Sequence, residues 1–252
     1  MKKEIIHKLG CIPDTPDFRD LNYSIKREGV LPEYIDFRNQ CPPVYDQGQL
    51  GSCTANAIAA AMEFDLRKQH LQEFMPSRLF IYYNERAMEG TINSDSGAQI
   101  RNGIKSVNTL GVCPESEWKY NIKKFKSKPK EKCYSDALAN VTLKYERINQ
   151  TLSDMRTCLA EGFPFVAGIS VYESFESEVV AKTGLVPMPK EIETLLGGHA
   201  ILIVGYNDKE NKFLCRNSWG NVWGVRGYFY LPYQYLVNNN LACDFWKINL
   251  IK

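Results

Sequence analysis

Small and apolar residues crowd positions 55–66, with Ile58, Met62 and Leu66 four residues apart, a pattern that predicts a helix packed on several sides. Gly48, Gly51 and Ser52 lead into it as a loop closing on a helix start, with Ser52 a candidate cap. Pro76-Ser77 opens a second helix with Leu79 and Tyr83 on one face, and residues 91–97 read as a loop. A third helix is predicted from Ala98, with Ile100, Ile104 and Val107 on one stripe and Gly111 as its stop. A shorter one runs from about Ser153 to Ala160 and ends at Gly162. Beyond it the period changes to strand-like runs at 163–171, 199–206, 213–219 and 227–231, separated by turns. Helices first and strands later argue an α+β fold with two segregated lobes.

Two stretches stand outside this periodicity. Residues 1–32 are polar and proline-punctuated, so they read as an extended arm. Residues 119–132 hold seven lysines and Pro129, which read as a solvated connection between lobes rather than an anion site. The expected division is an arm or short pro-segment at 1–32, a helical lobe at 33–140 and a β-rich lobe at 141–252. A chain of 252 residues can bury a substantial core in that arrangement.

Composition narrows the partners. A net charge of +2 gives no basis for a nucleic-acid partner. No apolar run approaches the ~18–20 residues of a membrane span. The opening residues lack the apolar core of a signal peptide, so a reducing intracellular compartment is expected. On that view the sequons at Asn140 and Asn149 are chance matches. Of the eight cysteines no two lie within four residues, so no C-x-x-C half-site exists and no metal is expected. Cys158 and Cys215, in apolar surroundings, read as inert core thiols.

Cys53 falls in the first turn of the first helix, where the dipole and free N–H groups favour a thiolate. A lone cysteine there is more often a small apolar residue, and the far half of the chain changes that balance. One of only three histidines, His199, follows the pair Gly197-Gly198 at the head of an apolar strand, and Asn217 ends the next strand-like run. Papain-type enzymes place His and Asn about 130–150 residues beyond the cysteine; His199 lies inside that window and Asn217 slightly past it.

The chain resembles the papain-like, cathepsin-like cysteine proteases, in the branch with a short N-terminal segment carrying Pro13-Asp14-Thr15-Pro16-Asp17-Phe18-Arg19-Asp20. The resemblance rests on Asp36-Phe37-Arg38, Gln47-Gly48, Gly51-Ser52-Cys53, Gly198-His199-Ala200, Val204-Gly205-Tyr206, Asn217-Ser218-Trp219-Gly220, Trp223-Gly224 and Gly227-Tyr228. It implies a two-lobe fold, helical on the left and antiparallel β-barrel-like on the right, with the cleft between. Cys53 is then the nucleophile, His199 the general acid/base, Asn217 its orienting partner and Gln47 the oxyanion donor, with Trp219 shielding the His–Asn bond. Ser96, Gly97, Gly198 and Trp219 would bind substrate; Ala98, Gln99 and Gly197 would line the same pocket, and Asp244 at its floor would admit basic side chains. No cofactor is implied, and the partners are peptide or protein substrates of a monomer. The lack of a histidine-rich occluding insertion favours an endopeptidase over dipeptide trimming. A catalytically silent binding protein, or another acyl-transfer enzyme with the same Cys/His/Asn set, are the alternatives. Two departures stand out: Leu50 replaces a disulfide cysteine, and Thr54 replaces the aromatic after the nucleophile. The arm is expected on or near the cleft, restraining activity, with Cys11 able to cap Cys53 as a disulfide under oxidising conditions.

Overall fold

The computed structural model describes residues 7–25, 29–140 and 143–250. Residues 1–6, where a signal peptide was looked for, and two residues of the first sequon, Val141 and Thr142, lie outside them. In chain order come β1 (Cys11–Ile12), β2 (Tyr34–Asp36), α1 (Cys53–Lys68), α2 (Arg78–Glu89), β3 (Ala98–Gln99), α3 (Ile100–Leu110) and α4 (Glu131–Ala137). The second half holds β4 (Leu143–Arg147), α5 (Leu152–Ala160), β5 (Phe165–Tyr172), α6 (Glu178–Thr183), β6 (Leu195–Asn207), β7 (Lys212–Arg216), β8 (Tyr228–Pro232), α7 (Tyr233–Val237) and β9 (Ala242–Leu250). The fold is α+β, with the long helices early and a seven-stranded sheet late.

That sheet is antiparallel, in the order β4-β9-β5-β6-β7-β8, with β2 added beside β6. Strand β6 is buried from His199 through Tyr206, because α1 lies against one side and a second apolar cluster fills the other. Every residue of α1 from Cys53 to Leu66 is buried. Its alanines at 55, 57, 59, 60 and 61 let α2, α3 and β6 approach closely, which explains a helix apolar on most of its circumference.

Three local expectations change on contact with tertiary structure. Ser52 is the residue before α1, but its hydroxyl does not cap the helix. It pairs with the Tyr120 hydroxyl at 2.6 Å and accepts from Asn56 Nδ2 at 3.1 Å. The third helix begins at Ile100 rather than Ala98, because Ala98–Gln99 pairs in parallel with Cys11–Ile12. The lysine-rich stretch is not the passage between lobes. It stays against α2, where the Arg86 guanidinium donates to the Phe125 carbonyl and the Tyr134 hydroxyl to Asn84 Oδ1. Ser77, by contrast, caps α2 as its sequence position suggests, accepting from the Phe80 N–H at 3.2 Å.

Candidate active site

Cys53 opens α1 and is fully buried. His199 sits on β6, and Asn217 follows the end of β7, so neighbouring antiparallel strands bring imidazole and carboxamide together. His199 Nε2 meets Asn217 Oδ1 at 2.8 Å, and the Ser218 N–H donates to the same oxygen at 2.8 Å. That leaves His199 Nδ1 buried and without a hydrogen-bond partner among the described residues. Trp219 packs against His199, with ring centroids 4.9 Å apart and 34° between planes. Gln47 is fixed from both ends: Ser218 Oγ donates to its Oε1 at 2.6 Å, and its Nε2 donates to Leu50 O at 2.9 Å. Ser218 thus orients the amide of Gln47 and the carboxamide of Asn217 at once. It went unassigned in the sequence although it stands between two assigned residues.

The cleft is occupied by the chain's own arm. His7 stacks on Trp219 at 4.2 Å with 4° between planes. The Lys8 carbonyl accepts from Gln47 Nε2 at 2.9 Å, and the Gly10 N–H is directed at the Cys53 sulfur. Gly10 O then accepts the Ala98 N–H at 2.9 Å as β1 joins β3. This approach is possible only between glycines: a Cβ on Gly10 would lie 2.0 Å from Gly51 O, and one on Gly97 (φ +77°) 2.1 Å from Gly10 O. Gly198 is likewise open to the Cys11 carbonyl, and Gly197 to the Leu9 side chain. Gly97 and Gly198 therefore lie on the arm's path. Ser96 does not; it is exposed and its hydroxyl bonds the neighbouring Gly97 carbonyl.

Beyond the cleft the arm is held by charge. Asp14 accepts from the Arg101 N–H at 3.0 Å, Trp246 Nε1 at 2.8 Å and Arg147 at 3.1 Å. Its own N–H donates to Asp244 Oδ2 at 2.8 Å, while Arg147 also reaches Asp20 and Asp244 at 3.1 Å. Asp244 therefore lies beside the arm, with the Asp14 N–H on one of its oxygens and the Arg147 guanidinium on the other.

A dry cleft sets the charge state. Burial pushes the Cys53 thiol up to about 12, against N–H groups of Ala200, Gly10 and Thr54 that favour the thiolate. Burial lowers His199 to about 4, opposed by its bond to Asn217. With the arm in place the pair is a neutral thiol and a neutral imidazole. Thr54 takes the place of the expected aromatic by donating to Glu85 Oε1 at 2.7 Å. Burial raises Glu85 well above its ordinary value, and Glu85 in turn pushes the Cys53 thiol up.

All eight cysteines are free thiols. Cys158 and Cys215 are fully buried, as their surroundings suggested. Among the described residues Cys113, Glu117 and Cys133 bring their ligand atoms within 4.8 Å of one another. Sequence spacing hid this group, since α4 folds Cys133 back onto the loop after α3. No described helix is long and apolar enough to cross a membrane.

A cysteine at a helix start, with the N–H after His199 directed at its sulfur and a His–Asn pair carried on neighbouring strands, is the arrangement of a papain-like thiol peptidase. The profile of the papain family cysteine proteases matches residues 31–245, and the chain belongs to that family. It is 51% identical over 271 residues to an uncharacterized peptidase C1-like protein of Acanthamoeba polyphaga mimivirus, covering 97% of this chain and 87% of that one. Xylellain, a cysteine protease from Xylella fastidiosa, superposes with a TM-score of 0.91 at 44% identity, over 100% of this chain and 99% of that one. Cysteine proteinase 3 of Entamoeba histolytica is 27% identical over 214 residues, which is 80% of this chain but 63% of that one.

Proposed function

We propose that the chain is a cysteine endopeptidase that hydrolyses peptide bonds through a Cys53 thioester and is restrained by its own N-terminal arm. Cys53 Sγ attacks the scissile carbonyl, and the oxyanion is held by Gln47 Nε2 and the Cys53 N–H. His199 takes the thiol proton and passes it to the leaving amine. It then accepts a proton from the water that opens the thioester, while Asn217 keeps the ring oriented. No step calls for a cofactor.

The observation that carries this reading is the arm itself, a polypeptide seated as a ligand. It runs through both sides of the nucleophile, with His7 on Trp219 at one end, Cys11 on β3 at the other, and a carbonyl on the oxyanion donor between. A groove that holds main chain on both sides suits cleavage within a polypeptide rather than trimming from an end. On the Trp219 side it widens into a cavity of ≈ 900 Å³ lined by His7, Leu9, Glu173, Glu176 and Trp223. The arm survives its position because a buried thiol near 12 and an imidazole near 4 supply no thiolate at neutral pH. Displacement of the arm admits water, which lowers the first value and raises the second.

Hydrolysis of a mixed fluorogenic peptide set tests the reading, with a free amine present to expose any transfer to acceptors other than water. Gln47→Ala should lose about 10²–10³ in rate, and Cys53→Ala should be silent. Turnover by Cys53→Ala, or amide products in place of acids, would sink it.

A further inference from the structure

The arm brings a second sulfur into the cleft besides the one it covers. Strand β1 lays Cys11 over Gly168 of β5, which is paired with Cys243 of β9. A Cβ at position 168 would lie 3.2 Å from Cys11 Sγ and 3.4 Å from Cys243 Sγ. The two thiols therefore flank one point, left empty because residue 168 has no side chain. Cys53 is placed differently, with the Gly10 N–H directed at its sulfur. Cys11 is buried in the docked arm, and Cys243 alone among the eight cysteines keeps partial exposure.

We propose that Cys11 and Cys243 are a redox pair whose disulfide fastens the arm in the cleft and whose reduction leaves the arm free to exchange with substrate. The bond joins the arm to the wall of the pocket and leaves Cys53 chemically untouched, so the locked protein returns to use without repair of its nucleophile. The consequence for activity rests on the proposed function; formation of the bond does not.

The oxidant is a peroxide small enough to reach the partly buried Cys243. The Cys243 thiolate attacks one peroxide oxygen, the O–O bond breaks, hydroxide leaves and a sulfenic acid remains. The Cys11 thiol then attacks that sulfur, the S–O bond breaks, and the departing hydroxide takes the Cys11 proton as water, just as the first hydroxide takes the proton given up by Cys243. Two thiols and one peroxide become one disulfide and two waters. Asp14, Asp244 and Arg147 face Cys243, and burial first, then Asp244, hold its thiol up to about 12. The first step is accordingly slow, and the lock responds to sustained rather than brief oxidant. Since it ties residue 11 to residue 243, the bond would close a loop of nearly the whole chain.

The test uses the full chain carrying Cys53→Ala, so that the nucleophile cannot be oxidised in its place. After hydrogen peroxide, free thiols are alkylated and the protein is digested without reductant. The expected result is a Cys11–Cys243 linked peptide that dithiothreitol abolishes. The arm should also become about tenfold or more slower to be cut by an added protease. That protection should be absent in the same chain with Cys11→Ser, or with Cys243→Ser if the first variant does not fold. Cys11 found alkylated, Cys11 linked to another cysteine, or equal cutting with and without peroxide would overturn the proposal. The mapping reads the bond whether or not peptides are hydrolysed. A wild type that stays inactive after the bond has been reduced therefore counts against the proposed function, and a protein that forms no bond under peroxide counts against the lock.

Discussion

The two halves of the arm are held by different physics. From His7 to Ile12 the arm is held chiefly through its own main chain: the Lys8 carbonyl on the Gln47 amide, the Gly10 N–H at the Cys53 sulfur, the Gly10 carbonyl on the Ala98 N–H, and glycines on both faces. From Asp14 to Tyr23 they are chiefly side chains and charge: Asp14 and Asp20 against Arg101, Arg147 and the Trp246 N–H. The first half is recognised as any extended peptide would be. The second half is recognised as this sequence alone, at a place a substrate need not reach. A plug that mimics substrate competes with it, and an anchor outside the groove raises the plug's effective concentration. On this view plug and anchor can be broken separately.

The largest effect is expected from the plug. Gly10→Ala puts a methyl 2.0 Å from the Gly51 carbonyl oxygen, and main chain cannot give way there as a flexible side chain would. Overpacking of this kind costs about 1–3 kcal/mol, which is roughly 5- to 150-fold in the released fraction. Initial rates of peptide hydrolysis should rise by that order in Gly10→Ala over wild type. Unchanged rates in a folded variant would show that the arm does not limit access.

Much of the candidate site was readable because its residues are marked locally in sequence. Cys53 at a helix start, His199 behind a glycine pair and Gln47 six residues before the cysteine each announce themselves within a short window. Their meeting follows from an antiparallel pairing of β6 with β7 that alternating strands foretell. The arm's path was not readable in the same way. Asp14 meets Trp246 and Asp244, and Cys11 meets Cys243, across nearly the full chain, with no periodicity to mark either. Ser52 and Ala98 failed for a related reason. A cap or a helix start is a local preference, and a neighbouring Tyr120 or a docked strand overrides it. Thr54 was legible as a departure, yet its partner Glu85 lies on another helix and could only be seen in space.

The anchor should make docking depend on pH. Burial, and next the nearby Asp244, push Asp14 up to about 6, against the Arg101, Trp246 and Arg147 donors. In a free arm the same carboxyl titrates near ~3.9. A group that binds its proton more tightly when docked favours docking at low pH. That contribution is complete below about 4 and is lost as the pH rises through about 6. Cutting of the arm by an added protease, in the Cys53→Ala chain, should be up to about tenfold faster at pH 7.5 than at pH 5. Asp14→Asn should flatten the profile. A slope that survives Asp14→Asn would move the titration to another group and leave the anchor electrostatically silent.

The smallest effect separates the two halves most sharply. Lys8 sits in the plug, and its ammonium pairs with Asp95 at 2.6 Å, but the lysine side chain is 45% exposed. A pair so open to water is worth about 0–1 kcal/mol and is screened by salt. Asp95 keeps its bonds to Tyr82 and the Gly51 N–H without it. Lys8→Ala should therefore raise the hydrolysis rate by less than about fivefold, with the increment shrinking in high salt. Its carbonyl, which meets Gln47, is untouched by the change. Release as strong as that of Gly10→Ala would mean that charge, rather than main-chain fit, holds the plug, and the division between the two halves would fall.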